Sequence, residues 1–172
     1  MAKRILKEVL SWVAMFAVAI MLALIINRFV FFQVEVPTGS MENTIMIGDR
    51  VFTLRLAYIF SSPKRGDIVV FPYPDDETVD YIKRIIGIGN DKIEIKDGVL
   101  YINDEQITED YLYEPMRKED FGPVIVPEGH YFMMGDNRNI SGDARVWENR
   151  FVKREKIKGK AIFKYPNFKW LN

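Results

Sequence analysis

The segment VLSWVAMFAVAIMLALII at residues 9–26 decides the gross organisation of this chain. It carries no charge, and Ser11 is its only polar residue. As a helix rising about 1.5 Å per residue, it would cover about 27 Å, close to the hydrocarbon thickness of a bilayer. It also lacks the polar stripe that a helix packed on a soluble core would show. We therefore predict an uncleaved transmembrane signal anchor over residues 9–26.

A cleaved secretory signal is the main alternative, because basic residues precede the apolar run. The run is longer than such a signal needs, and it is followed by Asn27-Arg28-Phe29 instead of small residues. Basic residues ahead of an anchor favour retention of that end in the cytoplasm. We expect a single-pass cell-membrane protein with residues 1–8 in the cytoplasm and residues 27–172 forming one domain outside it.

Composition excludes several kinds of chemistry. The 172 residues include no cysteine, which rules out disulfides, thiolate metal sites and a cysteine nucleophile. The single histidine, His130, rules out a metal site built from several histidines. The net charge of zero combines +3 over residues 1–32 with −3 over the rest, and this balance argues against nucleic-acid binding.

Beyond the anchor the chain is typical of an antiparallel β domain. Apolar and β-branched runs separated by turn residues predict strands over Arg50–Tyr58, Asp67–Tyr73, Tyr81–Ile88, Lys92–Lys96, Val99–Ile102, Val124–Val126, Tyr131–Met134 and Lys158–Tyr165. Asp97-Gly98 is a strong two-residue hairpin signal. One short helix is predicted over Asn149–Lys156, and the charged, proline-containing Glu109–Pro123 is expected to be a surface loop or insertion. The expected fold class is mainly β, on one N-terminal transmembrane helix.

A candidate nucleophile lies in Pro37-Thr38-Gly39-Ser40-Met41, shortly after the anchor. Gly39 would allow a substrate to approach the Ser40 hydroxyl closely. The Thr38 hydroxyl could join the Ser40 amide in stabilising an oxyanion. Taken alone, Pro37-Thr38-Gly39-Ser40 favours the alternative of a simple turn between anchor and domain.

A nucleophilic serine needs a base, and the sequence offers two. His130 follows Pro127-Glu128-Gly129 and has the features of a solvent-facing turn residue. Lys83 lies within an apolar strand, between Ile82 and Arg84, where burial could keep its amine neutral. An edge-strand lysine that reaches solvent is the alternative for Lys83.

The segment MGDNRNISGDAR at residues 134–145 is unusually rich in hydrogen-bonding groups. One interpretation is a calcium loop running from Asn137 to Glu148, with Gly142 at the sixth place. Arg138 and Arg145 add positive charge to that loop, and a strand precedes it where an EF-hand has a helix. These features disfavour calcium.

Together these segments resemble the bacterial type I signal peptidases, and most closely their small, single-anchor members. The resemblance covers nearly the whole chain. Four blocks carry it in the family's order and spacing: PTGSMENTI at 37–45, GDRV at 48–51, KRIIGIGND at 83–91 and GDNRNISGDAR at 135–145.

The resemblance implies a Ser/Lys dyad serine endopeptidase that removes signal peptides from exported preproteins through an acyl-enzyme. Ser40 matches the family's nucleophile and Lys83 its general base. The Ser40 amide and the Thr38 hydroxyl would form the oxyanion hole, and no metal or cofactor is needed. Membrane lipid is an expected partner, nucleic acid is not, and we expect a monomer.

The same match implies supporting and substrate-binding residues. Ser141 would hydrogen-bond and orient the lysine, while Asp143 and Arg145 would pair and hold their loop in place. The family's pockets prefer small residues, usually alanine, at the first and third positions before the cut. The expected groove walls are Val34, Val36, Met41, Tyr81 and Ile82.

The chain departs from the family pattern at four points that put loop and pocket detail in doubt: Asn43 for a usual Pro, Gly89-Asn90 for Pro-Gly, Asn139-Ile140 for Asp-Asn and Ala144 for Ser. Soluble self-cleaving repressors share a related Ser-Lys fold but carry a DNA-binding domain that this sequence lacks. A membrane-anchored β domain that binds a ligand without catalysis remains the alternative from another functional class.

Overall fold

The protein is described by a computed structural model over residues 2–171, without the side chains of residues 2, 3, 27 and 28. Met1 and Asn172, the ends of the predicted cytoplasmic segment and outer domain, lie outside the described residues, as do the charged groups of Lys3 and Arg28. Helix α1 spans Ala2–Phe29 and contains the predicted anchor. Its portion Arg4–Ile26 is long and apolar enough to cross a membrane, and every side chain in it is exposed. A helix that packed on a soluble core would have buried one face.

The remainder of the described chain is almost entirely strand and loop. The strands are β1 Phe31–Glu35, β2 Arg50–Leu54, β3 Ile68–Tyr73, β4 Asp76–Gly87, β5 Lys92–Lys96, β6 Val99–Ile102, β7 Glu105–Gln106, β8 Phe121–Ile125, β9 His130–Met134, β10 Val152–Lys153, β11 Gly159–Tyr165 and β12 Lys169–Trp170. Short 3₁₀ turns occupy Gly39–Met41, Arg55–Tyr58 and Arg154–Lys156.

The strands form two antiparallel sheets. The larger has the order β1-β2-β11-β3-β4-β9-β10, with β12 paired to β11, and the smaller has the order β7-β6-β5-β8. A large apolar cluster, which includes Phe71, Ile85, Ile93 and Phe132, joins β3, β4 and β9 to the smaller sheet. The predicted fold class, a mainly antiparallel β domain with one apolar N-terminal helix, is confirmed.

The predicted helix over Asn149–Lys156 is wrong. Val152 and Lys153 form strand β10 and pair with Tyr131 and His130 of β9, and a 3₁₀ turn follows. Burial of the Val152 side chain against the core outweighs the weak helical preference of so short a segment. The strand predicted over Arg50–Tyr58 ends at Leu54, because the chain then turns and the Arg55 amide donates to the Val30 carbonyl beside α1.

Strand β4 supplies the environment that the proposed base requires. The strand's first five residues are exposed, whereas all residues from Ile82 to Gly87 are buried. Neighbouring side chains of a strand point to opposite faces, so continuous burial means that both faces of this half of β4 are covered. Lys83 and Arg84 are therefore both inside the protein, one on each face.

The Asp97-Gly98 hairpin is confirmed between β5 and β6, and both turn residues have positive φ, 51° and 78°. Gly98 also lies against a second segment of chain. A Cβ at this position would lie 2.5 Å from the Arg117 carbonyl oxygen and 2.8 Å from that of Met116. The turn therefore requires glycine both for its φ and for this close approach.

We predict that Gly98→Ala lowers the free energy of unfolding by about 2–4 kcal/mol, through backbone strain and the clash together. The matched control is Gly48→Ala. Gly48 has a φ of 82°, but a Cβ there would meet no atom within 4 Å beyond its chain neighbours. The loss in this control should be about 1 kcal/mol, from φ alone. Denaturant unfolding of the full-length protein in detergent measures both. Equal losses would contradict a contribution from the contact with residues 116–117.

Candidate active site

An open cleft of about 430 Å³ lies between the end of β1 and the middle of β4. One wall comes from residues 34–40, the other from residues 79–83, and Ile140 and Gly142 close the third side. The lining is mostly apolar, but it contains one hydroxyl nucleophile candidate and one amine, on Ser40 and Lys83. The folded chain therefore brings together three of the four sequence blocks that carry the family resemblance.

Ser40 sits in the 3₁₀ turn Gly39–Met41, at the point where the chain leaves the β1 wall. Amides in the first turn of a helical segment have no carbonyl partner within that turn, so the Ser40 N–H is available to a bound group. The Thr38 hydroxyl lies 3.4 Å from the Ser40 hydroxyl. The two predicted oxyanion donors thus border the same end of the cleft.

Lys83 reaches Ser40 from β4. Its Nζ lies 2.6 Å from Ser40 Oγ, and the Tyr81 ring covers it with a centroid distance of 5.1 Å. Burial lowers the Lys83 pKa from 10.5 to about 8, because the charged amine loses hydration, while Asp143 and Asp136 act in the opposite direction. A substantial fraction of the amine is therefore neutral at mildly alkaline pH and can accept a proton from Ser40.

The loop at residues 135–145 packs on the back of Ser40. The Asn137 amide donates to the Ser40 carbonyl at 3.1 Å. A Cβ at Gly135 would lie 2.3 Å from the Ser40 carbonyl oxygen and 2.3 Å from Ser141 Oγ, so only glycine fits there. Asp143 accepts from the Gly135 amide at 3.1 Å and from Arg145 Nε at 2.9 Å. Asp143 and Arg145 thus brace the loop against the serine.

Ser141 differs from its predicted arrangement. Its Oγ is buried against Gly135 and makes no hydrogen bond within the described residues, so the predicted bond to Lys83 is absent. The Lys83 amine is instead directed at Ser40, 2.6 Å away. A buried hydroxyl without a partner is unfavourable.

The groove prediction needs one correction. Val34, Val36, Tyr81 and Ile82 line the cleft, but Met41 does not. The Met41 side chain is fully buried in the smaller core cluster with Ile45 and Val51. The 3₁₀ turn explains the difference, because it directs Ser40 to the cleft and the next side chain into the core.

Neither sequence alternative for this region gains support from the structure. His130 is half-buried at the start of β9, where its Nδ1 contacts the Glu128 carbonyl, and it is not among the cleft residues. In the disfavoured calcium interpretation Asn139 would be a ligand at the third place, but its Oδ1 accepts from the Arg117 amide at 2.8 Å and its Nδ2 donates to Glu114 at 2.7 Å. The Arg145 guanidinium also lies within this loop, where it binds Asp143.

Sequence reasoning missed a buried ion pair beside the dyad. Arg84 binds Asp136 through Nε and Nη2, at 2.8 and 2.7 Å, and donates to the Gly66 carbonyl. Thr44 donates its hydroxyl proton to the same Asp136 carboxylate. Alternation along β4 directs Arg84 to the face opposite Lys83, and nothing in the sequence showed that this face is also buried.

We predict that Asp136→Ala lowers the free energy of unfolding by about 3–5 kcal/mol, because it removes the carboxylate that accepts two hydrogen bonds from the buried Arg84 guanidinium. The control, Glu77→Ala, removes the partner of Lys156 in an exposed pair and should cost less than about 1 kcal/mol. Thermal unfolding of the two variants in detergent compares them. A small effect of Asp136→Ala would mean that Arg84 reaches solvent.

Comparisons with known proteins identify the family of the chain. The family model described as signal peptidase, peptidase S26, matches residues 9–166. The chain is 43% identical to signal peptidase I of Bacillus licheniformis over 78% of this chain and 77% of that protein. It is 37% identical to signal peptidase I S of Bacillus subtilis strain 168, over 94% and 91% of the two chains.

A solved structure is also similar. The crystal structure of a signal peptidase I from Enterococcus faecalis V583 aligns with a TM-score of 0.50 and 34% identity, over 58% of this chain and 97% of that one. The family model spans most of α1 and nearly all of the β domain. The chain therefore belongs to the signal peptidase family, peptidase S26.

Proposed function

We propose that this protein is a membrane-anchored serine endopeptidase that removes signal peptides from exported preproteins. The observation that carries the proposal is the 2.6 Å contact between the Lys83 amine and the Ser40 hydroxyl at the wall of an open cleft. The relatives are named as signal peptidases, which supplies the class of substrate. No metal or cofactor enters the proposed reaction.

In the first half of the reaction, the Ser40 oxygen attacks the scissile carbonyl while neutral Lys83 takes the hydroxyl proton. The Ser40 amide and the Thr38 hydroxyl donate to the resulting oxyanion. As the C–N bond breaks, Lys83 returns its proton to the leaving amine. An ester to Ser40 and a neutral lysine remain.

In the second half, Lys83 takes a proton from water, and the hydroxide attacks the ester carbonyl. The C–O bond to Ser40 then breaks, and Lys83 protonates the departing serine oxygen. The signal peptide leaves as a carboxylic acid, which ionises to a carboxylate by releasing its proton to solvent. Ser40 and Lys83 return to their starting protonation states, so the cycle balances.

Substrate recognition is proposed to use the edge of β1. Within the described strands β1 pairs with β2 only, so its other side is open toward the cleft. An extended peptide could add there as a strand and point alternate side chains at Val34, Val36, Tyr81 and Ile82. These apolar walls suit small side chains such as alanine at the first and third positions before the cut.

Membrane contact is proposed to extend beyond α1. β1 begins two residues after α1 ends, and the surface of β11 and β12 next to it is aromatic and exposed, with Phe168 and Trp170 at its rim. Such a patch suits the bilayer interface. We propose that the N-terminus is cytoplasmic, that the β domain is extracytoplasmic, and that the enzyme acts as a monomer, since one chain supplies Ser40, Lys83 and the whole cleft.

We expect Ser40→Ala and Lys83→Ala each to abolish cleavage of a preprotein with an Ala-x-Ala site by the purified enzyme in detergent. Each variant removes a reacting group, because Ser40 supplies the attacking oxygen and Lys83 accepts its proton. The matched controls, Ser61→Ala at an exposed residue and Lys156→Ala at a half-buried one whose amine is paired at the surface with Glu77, lie outside the cleft and should cleave normally. The alternative of a ligand-binding domain without catalysis predicts no cleavage by wild type. Full activity of Lys83→Ala would overturn the dyad.

The rate of preprotein cleavage should decrease as the pH is lowered below the pKa of Lys83. The proposed base is active when neutral, and its pKa is about 8. As pH drops below that value, the neutral fraction and kcat/KM should fall about tenfold per pH unit, and above it they should level off. Initial rates from pH 5 to 10, with circular dichroism to show a folded protein, measure this. A flat profile below pH 7 would contradict a lysine base.

A further inference from the structure

The chain between β7 and β8 contains a segment, residues 109–119, that we call the strap. The strap has no regular secondary structure, and most of its side chains are exposed. It is nevertheless tied to the loop at residues 135–145 by many polar contacts. The Tyr113 amide donates to the Asp136 carbonyl, the Arg117 amide donates to Asn139 Oδ1, and Glu119 pairs with Arg145.

One of these contacts is buried. Glu109 receives two parallel hydrogen bonds from Arg138, at 2.7 and 2.6 Å, and their side chains are only 4% and 0% exposed. Tyr111 donates its hydroxyl proton to the same carboxylate. The Tyr111 ring also covers the Arg84 guanidinium, with a centroid distance of 3.9 Å. The strap thereby fixes a buried cation in the loop behind Ser40.

Arg138 transmits this restraint to the nucleophile. Its Nε donates to the Gly135 carbonyl at 2.9 Å. The Gly135 backbone packs closely on Ser40 and Ser141, since a Cβ there would lie 2.3 Å from the Ser40 carbonyl oxygen and from Ser141 Oγ. The adjacent Asn137 amide donates to the same Ser40 carbonyl. A shift of Arg138 therefore moves the surface on which Ser40 rests.

We propose that Glu109 is a positioning residue for the reaction: through Arg138 and Gly135 it holds Ser40 in line with Lys83. Glu109 is not among the residues that line the cleft, and it acts through the side chains that bind its carboxylate, chiefly Arg138. The proposal rests on the proposed function. A displacement of about 1 Å at reacting atoms is enough to cost a large factor in rate.

A buried ion pair does not by itself imply such a role, because many pairs serve only the fold. Replacing both members of a buried pair with apolar residues of similar size is often neutral for stability. The double change Glu109→Met with Arg138→Met should therefore keep the fold. It removes the donor to the Gly135 carbonyl, which methionine cannot replace. The double variant can therefore separate an effect on the position of Ser40 from an effect on the stability of the fold.

The test compares the double variant, Glu109→Gln and wild type in preprotein cleavage, with kcat and KM determined separately. We expect kcat to fall about ten- to a hundredfold in both variants, with KM changed less than about threefold. The unfolding temperature should fall in Glu109→Gln, which leaves Arg138 uncompensated, and recover in the double variant. Glu114→Gln is the matched control, because Glu114 is an exposed strap residue that accepts from Asn139, and its kcat should stay at the wild-type value.

A kcat within twofold of wild type in a folded Glu109→Gln or double variant overturns the proposal. Failure of both to fold also overturns it, because Glu109 would then serve the fold alone. A loss of kcat in proportion to the loss of folded protein also overturns the proposal. Failure of the proposed function is distinguishable, since either wild type would then cleave no preprotein or Ser40→Ala would cleave as wild type does.

Discussion

The proposed chemistry depends on one constraint: the Lys83 amine must be deprived of water while it touches Ser40. A shift of its pKa from 10.5 to about 8 corresponds to roughly 3 kcal/mol against the charged form. That free energy comes from the packing that covers both faces of β4 from Ile82 onward. The apolar cores on either side of this strand therefore determine the chemistry of the amine as well as the stability of the fold.

The carboxylates buried near Lys83 need partners of opposite charge. Two carboxylates near Lys83, those of Asp136 and Asp143, raise its pKa and so oppose its activation. Each of them is held by a guanidinium, Arg84 or Arg145, and such a pair presents far less net charge to the lysine than a bare carboxylate would. The ion pairs thus let the site use carboxylates as rigid hydrogen-bond acceptors without restoring the lysine to its ordinary pKa.

Sequence patterns predicted those parts of this protein whose structure depends on local chemistry. The apolar run predicted α1, Asp97-Gly98 predicted a hairpin with the observed strand ends, and the apolar neighbours of Lys83 indicated a buried amine. The failures involve tertiary contacts. Pairing with β9 decided the state of residues 149–156, and a 3₁₀ turn decided the direction of Met41. Partner choice among charged residues was also beyond the sequence, because no local pattern distinguishes Glu109, which binds a buried arginine, from the exposed Glu114.

Strand β1, which is five residues long, connects the anchor to the proposed active site and has three roles. It follows α1 almost directly, it borders the cleft with Val34, and its open edge is the proposed site of peptide addition. A signal peptide carries its own apolar segment, which places its cleavage site just outside the bilayer. In the proposed topology, attachment of β1 to the end of α1 keeps the cleft near that same level. The anchor would then restrict where Ser40 can meet a scissile bond, and it would contribute proximity that a freely diffusing domain lacks.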